Sequence, residues 1–151
     1  MADMTPTDPQ QLADAVGRAM YARDRASQAL GMTLDSVAPG HARMTMRVRD
    51  DMCNGHGTCH GGLIFTLADS TFAFACNSQN FNSVALGCTI DFMAMAKSGD
   101  TLSASAAVRQ QGARTGLYDI EVSNQHGVTI ALFRGKSYRV KGDVLTGMRA
   151  E

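Results

Sequence analysis

The sequence predicts an α+β fold: one antiparallel sheet of about five or six strands wrapped around a single long central helix, with an additional helix at the N-terminus. Three observations predict it. Residues 61–78 are apolar on nearly every face of a helix, through Leu63, Ile64, Phe65, Leu67, Ala68, Phe72, Phe74 and Cys76, as a helix enclosed by other structure must be. The segments after residue 83 alternate apolar and polar residues with the period of strands. Short Gly, Asn and Asp clusters separate those segments, as antiparallel neighbours require. A sheet with its helices on one face is the α+β layout, and here the all-apolar helix has to be the filling.

Taken in chain order, Asp8-Pro9 reads as N-cap and first helical residue, and Leu12, Val16, Ala19 and Met20 recur at helical spacing. That helix is expected to run to about Leu30, with Gly31 as its terminator. Met32 to Ala38 reads as a strand, Pro39-Gly40 as a turn, and Ala42, Met44, Met46 and Val48 as a second strand, which together make a hairpin. Beyond the buried helix, Ser83 to Ala94 is strand-like and Ser98-Gly99-Asp100 a turn. Leu102 to Val108 resumes extended structure and ends by Gly112. Tyr118, Ile120 and Val122 alternate, Asn124 to Gly127 forms a turn, and Val128 to Val140 makes a last long strand. The expected organisation is therefore an N-terminal helical segment over residues 1–30, one domain over 31–147 and a tail over 148–151.

Composition narrows the function classes. Fourteen basic and fourteen acidic residues cancel, so no global field draws the chain to nucleic acid or to an anionic membrane. Asp3 and Asp8 stand where a secretory leader would be apolar, and no stretch reaches the ~20 apolar residues of a membrane span. A cytoplasmic enzyme or binder is expected. Cys53, Cys59, Cys76 and Cys88 are too few and scattered for a disulfide framework, and ten Met residues suggest an adaptable interior.

Asp69 is the one carboxylate inside the apolar helix. Burying it requires a partner from elsewhere, a pKa raised by desolvation, or a wet cleft at an interface. The plainer alternative places it on a thin polar stripe with Thr66, Ser70 and Thr71, facing water. The loop before the helix, Cys53 to Gly62, holds four glycines in ten residues. Gly61-Gly62 opens the helix, where unsatisfied N–H groups and the helix dipole favour negative charge. An oxyanion forming there would be stabilised, and losing one such donor typically costs about 3–4 kcal/mol. Gly61-Gly62 as a mere tight helix entry, and Asn54-Gly55 as an ordinary turn, are the structural alternatives. Cys53, His56, Cys59 and His60 have soft-ligand character, but no second cluster completes a zinc site. A Cys59 nucleophile served by His60 is disfavoured because adjacent side chains diverge. From Gly61 to Asp69 is roughly 12 Å along a helix, so the two cannot meet on one substrate atom within a single chain. If both act together, they come from different subunits and the site crosses a dimer interface.

The series Asn54-Gly55-His56…Cys59-His60-Gly61-Gly62…Leu67-Ala68-Asp69 resembles the hotdog-fold acyl-CoA thioesterases. So do Ala75-Cys76-Asn77-Ser78-Gln79, Cys88-Thr89-Ile90-Asp91-Phe92, Gly116…Tyr118-Asp119-Ile120-Glu121 and Leu132-Phe133-Arg134-Gly135-Lys136-Ser137, and these strings favour the PaaI branch associated with phenylacetate catabolism. The resemblance spans roughly residues 20–147. It implies the wrapped-helix fold, a homodimer with one continuous sheet, and a tetramer built as a dimer of dimers. It also implies hydrolysis of aryl or short acyl thioesters of CoA, with no metal or other cofactor. By the same likeness Asp69 is nucleophile or general base, Gly61 the oxyanion-hole amide, Asn54 the polar group near the reacting carbonyl or water, and His60 a contact to the thioester. Some relatives place a Ser or Thr that assists the carboxylate on the strand after the helix. Ala85 stands at that position, leaving Ser83 or Thr71 as substitutes. Gly62, Ser83, Lys97, Arg114 and Lys136 are carried as substrate-binding candidates, the cations (with Arg139) for the CoA phosphates. Tyr118 and Phe92 line either an aryl pocket or the core. An acyl-CoA hydratase or dehydratase, and a non-catalytic acyl-CoA sensor, are the competing functions.

Overall fold

The computed structural model describes residues 4–149. Helix α1 (Pro9–Arg23) begins where Asp8 accepts the Gln11 N–H and Pro9 occupies the first turn. It does not run unbroken to Leu30. Asp24 stops it, then caps a separate short helix α2 (Arg25–Ala29) by accepting both the backbone N–H and the hydroxyl of Ser27. An Asx side chain that offers the backbone an alternative partner is what breaks the continuous helix the periodicity predicts. Gly31 follows at φ +70, in the left-handed conformation expected of a terminator.

Strands β1 (Thr33–Ala38) and β2 (His41–Arg47) form the expected hairpin around Pro39-Gly40. A 3-10 turn (Asp50–Met52) and the glycine loop lead into α3 (Gly61–Asn77). Four strands follow: β3 (Phe81–Phe92), β4 (Thr101–Gln111), β5 (Thr115–Ser123) and β6 (Thr129–Asp143). All six pair antiparallel in the spatial order β1-β2-β4-β5-β6-β3. The strand that leaves α3 thus crosses to the far edge of the sheet instead of pairing with its sequence neighbours.

The inner face of this curved sheet closes on α3. Phe72 packs its ring 5.6 Å from that of Tyr118 and 6.0 Å from that of Phe133, and Phe65 meets Phe133 at 5.2 Å. Helix and sheet approach so closely that a Cβ on Gly135 would lie 2.7 Å from the Phe72 ring. Met32, Met44, Met46 and Met52 are all buried around this packing, so much of the methionine content fills the core. A short helix α4 (Val144–Arg149), which the sequence pattern does not announce, lays Val144 and Leu145 against Val16 of α1. Asn80, at φ +69, ties it down by accepting the Val144 and Leu145 N–H groups. Ala150 and Glu151 of the expected tail, and the first three residues of the N-terminal segment, lie outside the described residues.

Candidate active site

Helix α3 sets both ends of the site. His60 is its N-cap: the ring Nδ1 accepts the Gly62 N–H at 3.3 Å, and the His60 carbonyl accepts the N–H groups of Leu63 and Ile64. Of the first-turn amides, Gly61 alone has no acceptor among the described residues, which singles it out as the donor left for a ligand. Gly62, by contrast, is already committed. With Nδ1 accepting, the neutral His60 ring carries its proton on Nε2, and the residue is exposed. A side chain at Gly61 would intrude on Phe92, its Cβ falling 3.0 Å from the ring.

Asp69 sits two turns further along, half-buried, with no hydrogen bond or ion pair among the described residues. Burial raises its pKa above the ordinary carboxylate range. Its field reaches Cys88 on β3 and Cys76 on α3: burial pushes the Cys76 thiol up to about 12, with Asp69 and Cys88 adding to the effect. The carboxyl is therefore within electrostatic reach of β3, one of the two edge strands. Of the two sequence readings, the structure favours the desolvated carboxylate over one that simply meets water.

Helix α3 runs antiparallel to β3, with Gly61 under Phe92 at one end and Asn77 bonded to the Ser83 backbone at the other. Ser83 is consequently held about 12 Å from the Asp69 of its own chain, counting along the helix from Asn77. Its hydroxyl donates to Phe81 O. Thr71 is fully buried, donates to Leu67 O at 2.7 Å, and at two residues from Asp69 points to another face. Neither hydroxyl supports Asp69 within the protomer.

Asn54 organises the loop. Its Oδ1 accepts from the His56 and Thr58 amides at 2.9 and 3.3 Å and from the Thr58 hydroxyl at 3.2 Å, while Gly57 N–H closes on Asn54 O with φ +78. Asn124 builds the same turn between β5 and β6, accepting from His126 and Val128 N–H ahead of Gly127. The oxygen of Asn54 thus has a structural task, and its Nδ2 is what remains for a substrate. Lys97 lies beside this loop, paired with Thr58 in an isolated antiparallel bridge. Arg114 sits at the tip of the β4–β5 hairpin and donates to the Tyr138 hydroxyl. Lys136 alternates with buried Gly135 and Ser137, so it projects from the sheet face opposite α3. Arg139 stacks on Phe81, 3.8 Å from the ring centroid. Tyr118 is core, 2 % exposed and touching Phe72, whereas Phe92 is 53 % exposed at the end of β3. Two grooves on the outer sheet face, one lined by Leu86, Leu117 and Lys136 and one by Asp119, Glu121 and Leu132, do not include Asp69.

A family model described as Thioesterase superfamily matches residues 56–131, half of the chain, taking in the second part of the loop, α3 and β3 to β5. The chain belongs to the thioesterase superfamily. Its wrapped-helix sheet is that family's hotdog fold. Acyl-coenzyme A thioesterase PaaI of Escherichia coli K12 is 53% identical over 126 residues, covering 83% of this chain and 90% of that protein. The solved structure of the E. coli PaaI protein, from the phenylacetic acid degradation operon, matches with a TM-score of 0.89 at 50% identity over 90% of this chain and 99% of that one. The smu.793 protein of Streptococcus mutans, solved bound to acetyl CoA, matches with a TM-score of 0.71 at 30% identity over 74% of this chain and 90% of that one.

Proposed function

We propose that this superfamily member is an acyl-CoA thioesterase that hydrolyses aryl-acyl thioesters such as phenylacetyl-CoA or hydroxyphenylacetyl-CoA, in sites shared across a homodimer. One observation carries the shared site: among the described residues, α3 bears an amide at Gly61 without an acceptor and a desolvated carboxyl at Asp69 without a partner, too far apart to act on one carbonyl. A second copy brought against β3 supplies the missing half. That edge is apolar and open for pairing, with Val84, Leu86 and Phe92 each about half exposed. The identity to E. coli PaaI, and the acetyl CoA held by the streptococcal neighbour, support the substrate class.

In this reading the thioester carbonyl rests on the N–H of the partner subunit's Gly61, and the oxyanion gathers its charge against that helix N-terminus. Asp69 either attacks the carbonyl carbon, giving a mixed anhydride that water then cleaves, or takes a proton from the attacking water. In both cases the CoA thiolate departs and the acid remains. Asn54 Nδ2 and His60 Nε2–H are the further donors toward the carbonyl and the thioester. Gly62 shapes the approach to the helix end rather than donating. Among the cations, Lys97 is best placed for the CoA phosphates because the bridge to Thr58 fixes it beside the loop; Arg114 and Lys136 project elsewhere in the protomer. Two dimers associating into a tetramer complete the proposed assembly, in the cytoplasm. The test is thiol release from phenylacetyl-CoA by the wild type and by Asp69→Asn: prompt release lost in the variant upholds the reading, and bound but intact thioester with the wild type refutes hydrolysis.

A further inference from the structure

We propose that Cys53 and Cys59 form a redox-active dithiol that closes to a disulfide across the base of the Asn54 loop. The two residues are direct partners in an isolated antiparallel bridge. The hydrogen bonds flanking them run from Asn54 N–H to Thr58 O at 2.9 Å and from His60 N–H to Met52 O at 2.8 Å, which makes Cys53 and Cys59 a non-hydrogen-bonded pair. In such a pair the Cα atoms stand about 4.5 Å apart with both side chains on one side of the ladder. Disulfides span Cα separations of roughly 4.4–6.8 Å, so the bond needs no backbone rearrangement. Both thiols are free. The Cys59 thiol is pushed up to about 11 by burial and then by the neighbouring Cys53.

The accessible member is Cys53, which is half-buried, while Cys59 is buried. The co-reactant is a low-molecular-weight disulfide. The Cys53 thiolate attacks one of its sulfurs and expels a first thiolate, leaving a mixed disulfide. Cys59 then gives up its proton, attacks the Cys53 sulfur and expels the second thiolate. The protein loses two thiol protons and two electrons, and the small disulfide becomes two thiols. No step needs another oxidant.

Closure acts on the site through His60. The Cys59 Sγ now donates to the His60 carbonyl at 3.7 Å, the same carbonyl that accepts the Leu63 and Ile64 amides at the start of α3. A disulfide removes that donor and tightens the strand pair between Asn54 and His60. The loss of turnover rests on the proposed function, whereas the bond itself does not.

The experiment equilibrates the full chain in buffers of reduced and oxidised glutathione, traps thiols by alkylation, maps peptides, and follows phenylacetyl-CoA by thioester absorbance. A Cys53–Cys59 linked peptide is expected, with turnover falling about tenfold or more, restored by dithiothreitol and immune to oxidation in Cys53→Ser. Alkylation of both residues at every glutathione ratio, or a Cys76–Cys88 link in their place, overturns the dithiol. A complete Cys53–Cys59 link with unchanged turnover overturns its coupling to the site. Absence of any thioesterase activity in the reduced wild type refutes the functional reading alone, since the mapping still judges the bond.

Discussion

Asp69 is kept above its ordinary pKa by burial, with no ion-pair partner among the described residues. A carboxyl whose folded pKa is raised binds more protons in the folded than in the unfolded chain. Its contribution to stability is therefore fully present below the unfolded pKa and is lost as pH rises through the folded one. Asp69→Asn is accordingly expected to raise the melting temperature at pH 7 while lowering kcat by about a hundredfold or more, measured by calorimetry and thiol release. In the proposed mechanism the ionised form acts, so kcat/KM is expected to rise with pH through a limb above the usual aspartate range. Asn54→Asp separates the turn from the proposed donor role: the retained oxygens keep the turn, and the lost Nδ2 is expected to reduce kcat about tenfold or more with an unchanged circular dichroism spectrum. Asp69 was legible in the sequence because it interrupts an otherwise apolar helix. The different fates of Gly61 and Gly62 were not, since only the His60 ring decides which amide stays free.

At the scale of elements, α3 reads from its all-round apolar composition and β4 to β6 from their alternation, because those strands bury one face against it. Three features escaped that reading for local reasons. Asp24 breaks the first helix through side-chain bonds to Ser27. The crossover of β3 depends on long-range pairing with β6. Helix α4 is a short segment that contains Gly147 and is anchored by Asn80, some 65 residues away. The register that holds α3 is checked at Gly135. Its Cβ would collide with Phe72, a fully buried ring, so Gly135→Ala is expected to destabilise the fold by about 1–3 kcal/mol in urea unfolding.

For the whole molecule, the proposed dimer rests on the outer edge of β3, a long edge strand with exposed apolar side chains. The sequence already pointed to a second copy, because roughly 12 Å of helix separates the two chemical groups. Which strand would be the edge became visible only with the topology. Leu86→Lys, placing a charge on that edge, is expected to shift the sedimentation profile toward monomer and to reduce turnover in parallel. The proposed shared site is tested most directly by mixing two variants, Asp69→Asn and Gly61→Pro, the second of which lacks the N–H, after unfolding and refolding them together. Heterodimers then pair the intact Asp69 of one subunit with the intact Gly61 of the other, and recovery of roughly a quarter of the wild-type rate is predicted. A mixture no more active than its separate components, with heterodimers demonstrably formed, would contradict it.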